Sequence, residues 1–165
     1  RALIDIMDHL PKLAECLNYP YKNSDHLFYK GSIRMRTKHV LTADDAKKII
    51  DACKAKAKSK KCNVTIAIVD EAGYLMHLER MDGAPLHSAK VAEGKAKAAA
   101  LGRVPTKMIE ETIKERPAML TFPDRLGVQG GVPLKYKEEY VGGVGVSGVK
   151  SHEDEEIALA GANIL

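Results

Sequence analysis

The sequence predicts an α+β fold in which helices flank an antiparallel sheet. Hydrophobic periodicity between residues 42 and 165 gives elements in the order α, β, β, α, α, β, β, α. Consecutive strands follow each other directly as hairpins, which favours antiparallel over doubly wound parallel pairing. At 165 residues, 45% of them hydrophobic, the chain is long enough for one cooperative core and short for two.

The first half of this domain carries the clearest local signals. Thr42 with Asp45 forms the capping-box pattern that starts a helix. Residues 64–70 are apolar on both alternating sets, which predicts a strand in a sheet covered on both faces. Gly73 provides the positive φ of a turn into a second strand, 74–81.

The second half is predicted to contain two more helices, a hairpin and a last helix. Residues 86–101 and 106–115 are predicted helices, and Thr106 is the expected N-cap of the second. Strands 132–136 and 140–147 form another hairpin. Ser151 with Asp154 should cap a last helix, whose expected inward positions are Ile157, Ala160, Gly161 and Ile164.

Residues 1–39 form a separate N-terminal region, and residues 40–165 form the domain. The first 17 residues have helical spacing, interrupted by Pro11. The segment 18–38 contains four of the aromatic residues and is too apolar for a free linker. We expect an arm that contacts another surface, such as a second subunit or a larger complex to which the protein is an accessory.

The composition indicates that the protein neither binds nucleic acid nor spans a membrane. The formal net charge is +4, but much of the excess is a cluster of lysines at the end of the first predicted helix, where cations face the helix dipole. No aromatic platform or recognition motif accompanies these lysines. No run approaches the roughly 18 apolar residues that would span a bilayer.

The three cysteines predict a cytoplasmic protein. Cys16, Cys53 and Cys62 are odd in number and lack the spacing of metal ligands. They fit free thiols in a reducing compartment. The chain starts at Arg1 rather than Met, so export is left open.

A glycine-rich stretch, residues 143–148, matches the G-x-G-x-x-G pattern of dinucleotide-binding sites. That site opens a βαβ unit and has an acidic residue about 20 positions later. Here the sequence ends at Leu165, and the preceding strands are predicted to form hairpins. The sequence therefore predicts that no nucleotide binds here. The glycines are instead expected to let a helix or a neighbouring chain approach a strand closely.

Six segments together carry a family resemblance: residues 67–73, 79–84, 95–96, 130–133, 142–148 and 154–156. In this order and spacing, over about residues 40–165, the chain resembles the haem-degrading and haem-binding family that includes GlcG, HbpS and the C-terminal domain of PduO-type corrinoid adenosyltransferases. The resemblance implies a profilin-like three-layer α/β/α fold with a five-stranded antiparallel sheet. It also implies a homo-oligomer, haem or another tetrapyrrole as ligand in some members, and iron in others.

His39 is the nearest match to a histidine that the resemblance implies near the start of the domain, where PduO-type domains hold haem. A neutral imidazole can serve as an axial ligand of haem. The alternative, a histidine that faces solvent in a loop, stays open. Gly130 and Gly131 permit a sharp turn and could also present backbone N–H groups to an anionic ligand.

Glu153 and Glu156 are the candidate iron ligands. Carboxylates at i and i+3 share one face of a helix, and the resemblance implies acidic iron sites in some members. Acidic residues in the first turn of a helix are also ordinary partners of its dipole. Both interpretations remain open at this point.

Arg80, Asp82 and Lys95 are the candidate catalytic residues. Arg80 and Asp82 flank the end of a strand, where they could clamp an anion, act as an acid and base, or form an internal salt bridge. Lys95 interrupts an alanine-rich helix and could reach a pocket or, as we favour, water. The sequence thus predicts an oligomeric haem- or tetrapyrrole-binding protein, with an enzyme acting on a small polar metabolite at a subunit boundary as the alternative.

Overall fold

The computed structural model describes residues 35–165 of the chain. A four-stranded antiparallel sheet lies at the centre of this part. Within it, Thr37–Leu165 form one compact unit. The predicted N-terminal helix and nearly all of the aromatic arm lie outside the described residues. No helix among those described is both long and apolar enough to cross a bilayer.

The strands are β1 (Thr65–Asp70), β2 (Leu75–Arg80), β3 (Gly131–Tyr136) and β4 (Glu139–Ser147). Their spatial order is β2-β1-β4-β3, with every neighbouring pair antiparallel. Both predicted hairpins are confirmed. The fifth strand that the resemblance implies is not confirmed, since residues 35–165 contain four.

Helices cover both faces of this sheet. They are α1 (Ala43–Ser59), α2 (Ser88–Gly102), α3 (Thr106–Glu115) and α4 (Ser151–Ala162). A 3₁₀ helix, Pro117–Thr121, follows α3. Helix α2 packs on one face, and α1 and α4 pack on the other. The predicted α+β class is therefore confirmed, with three layers.

The face toward α1 and α4 holds a core of large aliphatic side chains. The residues of β1 at positions 66 and 68 pair with Val146 and Val144 of β4, so that all four side chains lie on one side of the sheet. They are fully buried with the following residues of the two helices: Ile49, Ile50, Cys53, Ala57, Ile157 and Ala158. The burial of this set follows from the apolar stripe of α1.

The opposite face is packed by much smaller residues. Ala92, Ala96 and Ala100 of α2 lie directly on the sheet. A Cβ atom added to Gly145 of β4 would collide with the carbonyl oxygen of Ala92, and one on Gly143 would collide with that of Ala96. The glycine-rich stretch therefore serves the close approach of a helix, as the sequence analysis interprets it.

The start of α1 is predicted correctly. The Thr42 hydroxyl accepts the N–H of Asp45, and the Asp45 carboxylate accepts the N–H of Thr42, both at 3.2 Å. Two orphan donors of the first turn are thus satisfied.

Three other details of the helix ends differ from the prediction. Pro105 and not Thr106 precedes α3, and the buried Thr106 hydroxyl accepts the N–H of Gly131 at 2.8 Å. Helix α4 begins at Ser151 itself, so its cap is Lys150. Ile164 is 47% exposed because it follows the end of α4 instead of continuing its inward face.

Candidate functional site

Lys95 forms a buried ion pair that joins α2 to α4. Its side chain is 1% exposed, and Nζ donates hydrogen bonds to the Asp154 carboxylate at 2.8 Å and to the Val146 carbonyl at 2.9 Å. Burial raises the pKa of Asp154, while the Lys95 ammonium partly opposes that shift. The expectation that Lys95 reaches water is wrong, because a carboxylate and a carbonyl of the protein replace water as its partners.

Gly130 and Gly131 lie beside this pair. A Cβ atom on Gly130 would lie 2.8 Å from Nζ of Lys95 and 2.8 Å from Cβ of Asp154, so the missing side chain leaves room for the ion pair. Gly130 also has φ +123°, which strains other residues. Because the N–H of Gly131 already donates to Thr106, this turn acts as a packed junction. A role of either glycine in holding a ligand stays a prediction.

His39 lies at the other end of the domain, just before α1. Its backbone N–H and its ring Nδ1 both contact one carboxylate oxygen of Glu139, at 2.8 and 2.7 Å. The ring meets the edge of Tyr136 with centroids 5.0 Å apart. Glu139 and Tyr136 pair across the β3–β4 hairpin, so the hairpin fixes both neighbours of the imidazole.

This arrangement controls which nitrogen of His39 can bind a ligand. With Nδ1 donating its proton to Glu139, the lone pair of the neutral ring lies on Nε2. A carboxylate behind the distant nitrogen is the usual support of a metal-bound histidine, because it sets the tautomer and the ring orientation. The His39 side chain remains 48% exposed, so a ligand can reach it.

Arg80 and Asp82 remain on the surface. Arg80 ends β2, Asp82 follows in the turn, and both are exposed. Within residues 35–165 neither makes an ion pair, so the internal salt bridge considered from the sequence is absent there. Lys95 is held by Asp154 and Val146 and does not join them. A catalytic role for these three residues stays a prediction.

Glu153 and Glu156 are already engaged at the start of α4. The N–H of Lys150 donates to the Glu153 carboxylate at 3.3 Å. Glu156 pairs with Lys60, whose ammonium lowers the pKa of that carboxyl. No group of three or more His, Cys, Asp or Glu side chains that could hold a metal occurs among the described residues. An iron site here stays a prediction.

A small open cleft lies between α2 and the segment that follows the 3₁₀ helix. Its volume is about 240 Å³, and its lining residues are Gly94, Lys97, Phe122, Asp124, Arg125 and Leu126. Lys97 pairs with Asp124 at 2.9 Å, and this contact raises the pKa of Lys97. The Arg125 guanidinium stacks 4.5 Å above the Phe122 ring. The cleft therefore offers two cations, one carboxylate and an aromatic face.

The sequence analysis missed the residues that complete these sites. Glu139 is 100 positions away from His39, and Asp154 is 59 away from Lys95. The sequence placed Glu139 in a predicted hairpin turn between strands 132–136 and 140–147 and gave no other indication of its role. That signal carries no information on which residue the turn contacts.

The chain matches the family model described as "Haem degrading protein HbpS-like" over residues 41–163. The chain belongs to the HbpS-like family. Protein GlcG of Escherichia coli K12 is 39% identical over 114 residues, which cover 68% of this chain and 85% of GlcG. This confirms the resemblance stated from the six segments.

Solved structures of HbpS-like proteins have the same fold. A double mutant of HbpS from Streptomyces reticuli superimposes with a TM-score of 0.76 at 30% identity, covering 81% of this chain and 92% of HbpS. A complex named PduOC:Heme superimposes with a TM-score of 0.71 at 23% identity, covering 77% of this chain and 96% of PduOC. At that identity the second likeness shows the fold alone.

Proposed function

We propose that this protein binds haem or a related tetrapyrrole, with His39 as the axial ligand, and that it does so as a homo-oligomer. The contact between Nδ1 of His39 and Glu139 is the observation that carries the proposal. It leaves Nε2 as the donor atom of an accessible imidazole held in a fixed orientation. Membership of the HbpS-like family supports the same ligand class.

The surface around His39 suits one face of a flat, apolar ligand. The Tyr136 ring is 36% exposed and Val40 is 56% exposed, so both can contact a macrocycle beside the imidazole. A haem site is wider and more enclosed than these residues make it. A second copy of the chain that covers the other face of the ligand would complete the slot, and this is the reason for proposing an oligomer.

In this scheme the chain binds and orients the ligand. His39 would hold the iron, Glu139 would hold His39 in its orientation, and Tyr136 would pack beside the imidazole. Bound haem would supply an iron centre able to change its oxidation state. The proposal requires no reaction, so turnover is a separate question.

An absorbance titration with ferric haem tests this function. We expect a saturable Soret shift near one haem per subunit in the wild-type protein, and its loss in His39→Ala. The matched control is His87→Ala, because His87 is also exposed and its side chain makes no capping hydrogen bond. A featureless wild-type titration, or one that His39→Ala leaves unchanged, would contradict the proposal. Sedimentation velocity with and without haem measures the oligomer.

The cleft beside α2 supports a second candidate function, an enzyme acting on a small polar metabolite. Charges from Lys97, Asp124 and Arg125 converge there on a volume too small for a tetrapyrrole. A shift in melting temperature with small carboxylates, absent in Arg125→Gln but retained in His39→Ala, would favour this candidate. The residues predicted for this function, Arg80, Asp82 and Lys95, do not line the cleft.

A further inference from the structure

We propose that the cleft beside α2 binds a small monocarboxylate with a short apolar body, and that Arg125 holds the carboxylate of this ligand. The inference rests on the second candidate function, since it names the class of ligand for that cleft. It is independent of His39 and of haem. Three features of the cleft support it: an available cation, one net positive charge and an apolar wall.

Arg125 provides a cation without a partner charge. The Cζ atom of its guanidinium lies 4.5 Å from the centroid of the Phe122 ring, and within residues 35–165 it forms no ion pair. Stacking on a ring uses the face of the guanidinium, whereas the N–H donors lie in its plane. The donors therefore remain free to form two parallel hydrogen bonds with one carboxylate.

The charge of the cleft suits a ligand with one negative charge. Nζ of Lys97 donates to Oδ1 of Asp124 at 2.9 Å, so these two charges compensate each other. Arg125 is the remaining charged residue of the lining, which leaves one net positive charge. A monocarboxylate neutralises that charge. A second carboxylate on the ligand would lose water without gaining a free cation.

The rest of the lining is apolar and leaves room for a short hydrocarbon body. Phe122 is 51% exposed, and Leu126 lines the same cleft. A Cβ atom on Gly94 would lie 3.0 Å from Cδ2 of Leu126, so the glycine lets this leucine lie close to α2. The cleft has a volume of about 240 Å³. Pockets for drug-sized ligands begin at roughly 300 Å³, so this cleft suits a ligand of a few carbon atoms.

The segment that carries Arg125 is fixed before a ligand binds. Asp124 has φ +56°, in the left-handed region that aspartate tolerates better than most residues. Its ion pair with Lys97 holds it against α2. The β1–β2 turn packs on the stem of this lysine, since a Cβ atom on Gly73 would lie 2.9 Å from Cγ of Lys97. A site that is already ordered loses less conformational entropy when its ligand binds.

The test compares butyrate, acetate and succinate, each titrated into the ¹⁵N-labelled protein at pH 7.5 and followed by NMR. All three have a carboxylate, but acetate lacks the hydrocarbon body, and succinate has a second carboxylate in place of the methyl group of butyrate. We expect butyrate to bind about threefold more tightly than either, because the cleft buries part of its chain and offers no free cation to a second carboxylate.

Two variants test the role of Arg125 and the charge balance. Arg125→Gln should weaken butyrate binding about tenfold, since it removes two charge-assisted hydrogen bonds. The matched control is Arg116→Gln, because Arg116 is an exposed arginine that precedes the 3₁₀ helix and does not line the cleft. Asp124→Asn keeps a residue that tolerates the left-handed region but frees Lys97 for a second carboxylate. We expect succinate to bind this variant more tightly than butyrate does.

The outcomes separate this inference from the proposed functions. A wild-type protein that binds none of the three acids overturns both the inference and the second candidate function. Acetate or succinate binding as tightly as butyrate, or an Arg125→Gln variant with wild-type affinity for butyrate, overturns the inference alone and leaves the cleft as a site for another polar ligand. Should Arg125→Gln fail to fold, Asp124→Asn decides: a preference for succinate supports the inference, and an unchanged preference for butyrate overturns it. Haem binding at His39 is tested separately by the absorbance titration.

Discussion

The domain contains two hydrogen-bonded polar pairs that differ in burial. Lys95 and Asp154 are 1% and 2% exposed, whereas His39 and Glu139 are 48% and 43% exposed. Each pair joins residues far apart in the sequence. In the first, Lys95 also donates to the Val146 carbonyl, and Asp154 also accepts the N–H of Val149. In the second, the His39 side chain is half exposed and only its Nδ1 is held by the carboxylate.

The comparison indicates that burial distinguishes a charged residue that stabilises the fold from one that is available to bind a ligand. A buried pair is stabilising as long as both charges are present, because either charge alone would be desolvated without compensation. A half-exposed pair loses little when one member is removed, since water replaces it. We therefore expect Lys95 and Asp154 to govern stability, and His39 and Glu139 to govern ligand binding.

The largest expected effect is on Lys95. Replacing it by methionine leaves the Asp154 carboxylate buried without a cation, and we expect the free energy of unfolding in urea to fall by about 3–5 kcal/mol. The double variant Lys95→Met, Asp154→Leu removes both charges and should recover most of this loss. A double variant as unstable as Lys95→Met would show that packing and not charge is responsible.

Cys53 gives the next largest effect, which appears at alkaline pH. Burial raises the pKa of its thiol to about 12 from the ordinary value of 9.0. Between these values the unfolded chain loses a proton that the folded protein retains, so stability falls as pH rises, by about 1.4 kcal/mol per pH unit. The free energy of unfolding in urea is measured at pH 8, 9.5 and 10.5 for the wild type and for Cys53→Ala. The difference between the two proteins should fall with pH at this slope. Equal slopes in the two proteins would contradict it.

His39→Ala should have a smaller effect on stability. Because both members of the His39–Glu139 pair are half exposed, we expect the free energy of unfolding to change by less than about 1 kcal/mol. Haem binding should be lost in the same variant. A loss of stability comparable to that of Lys95→Met would show that the exposed pair is also structural, and would remove the distinction between the two pairs.

The smallest expected effect concerns the ion pair between Lys38 and Glu71. The Lys38 ammonium holds the pKa of Glu71 below its ordinary value of 4.5. The resulting stability is present above pH 4.5 and is lost as pH falls through the lowered pKa. Since Lys38 is 60% exposed, Lys38→Gln should cost about 0.5 kcal/mol or less at pH 7 and less than that at pH 3. Thermal unfolding at both pH values measures the difference.

The sequence alone was enough to predict the class of the fold and every strand and α-helix of residues 42–165, apart from the ends of two helices and the 3₁₀ helix at Pro117–Thr121. The apolar stripe of α1, the capping box at Thr42 and the two hairpins are local patterns, and local patterns depend on neighbours within a few positions. The interpretation of Gly143 and Gly145 as positions that a helix approaches closely is also confirmed.

The polar residues that act together became visible in the three-dimensional structure. Lys95 resembles a solvated lysine until Asp154 is found beside it, and Thr106 resembles a cap until Gly131 is found above its hydroxyl. His39 resembles a loop histidine until Glu139 is brought against its ring. The physical reason is that a charge or a hydroxyl finds its partner through the sheet register and helix packing, which bring together residues that no spacing along the chain relates.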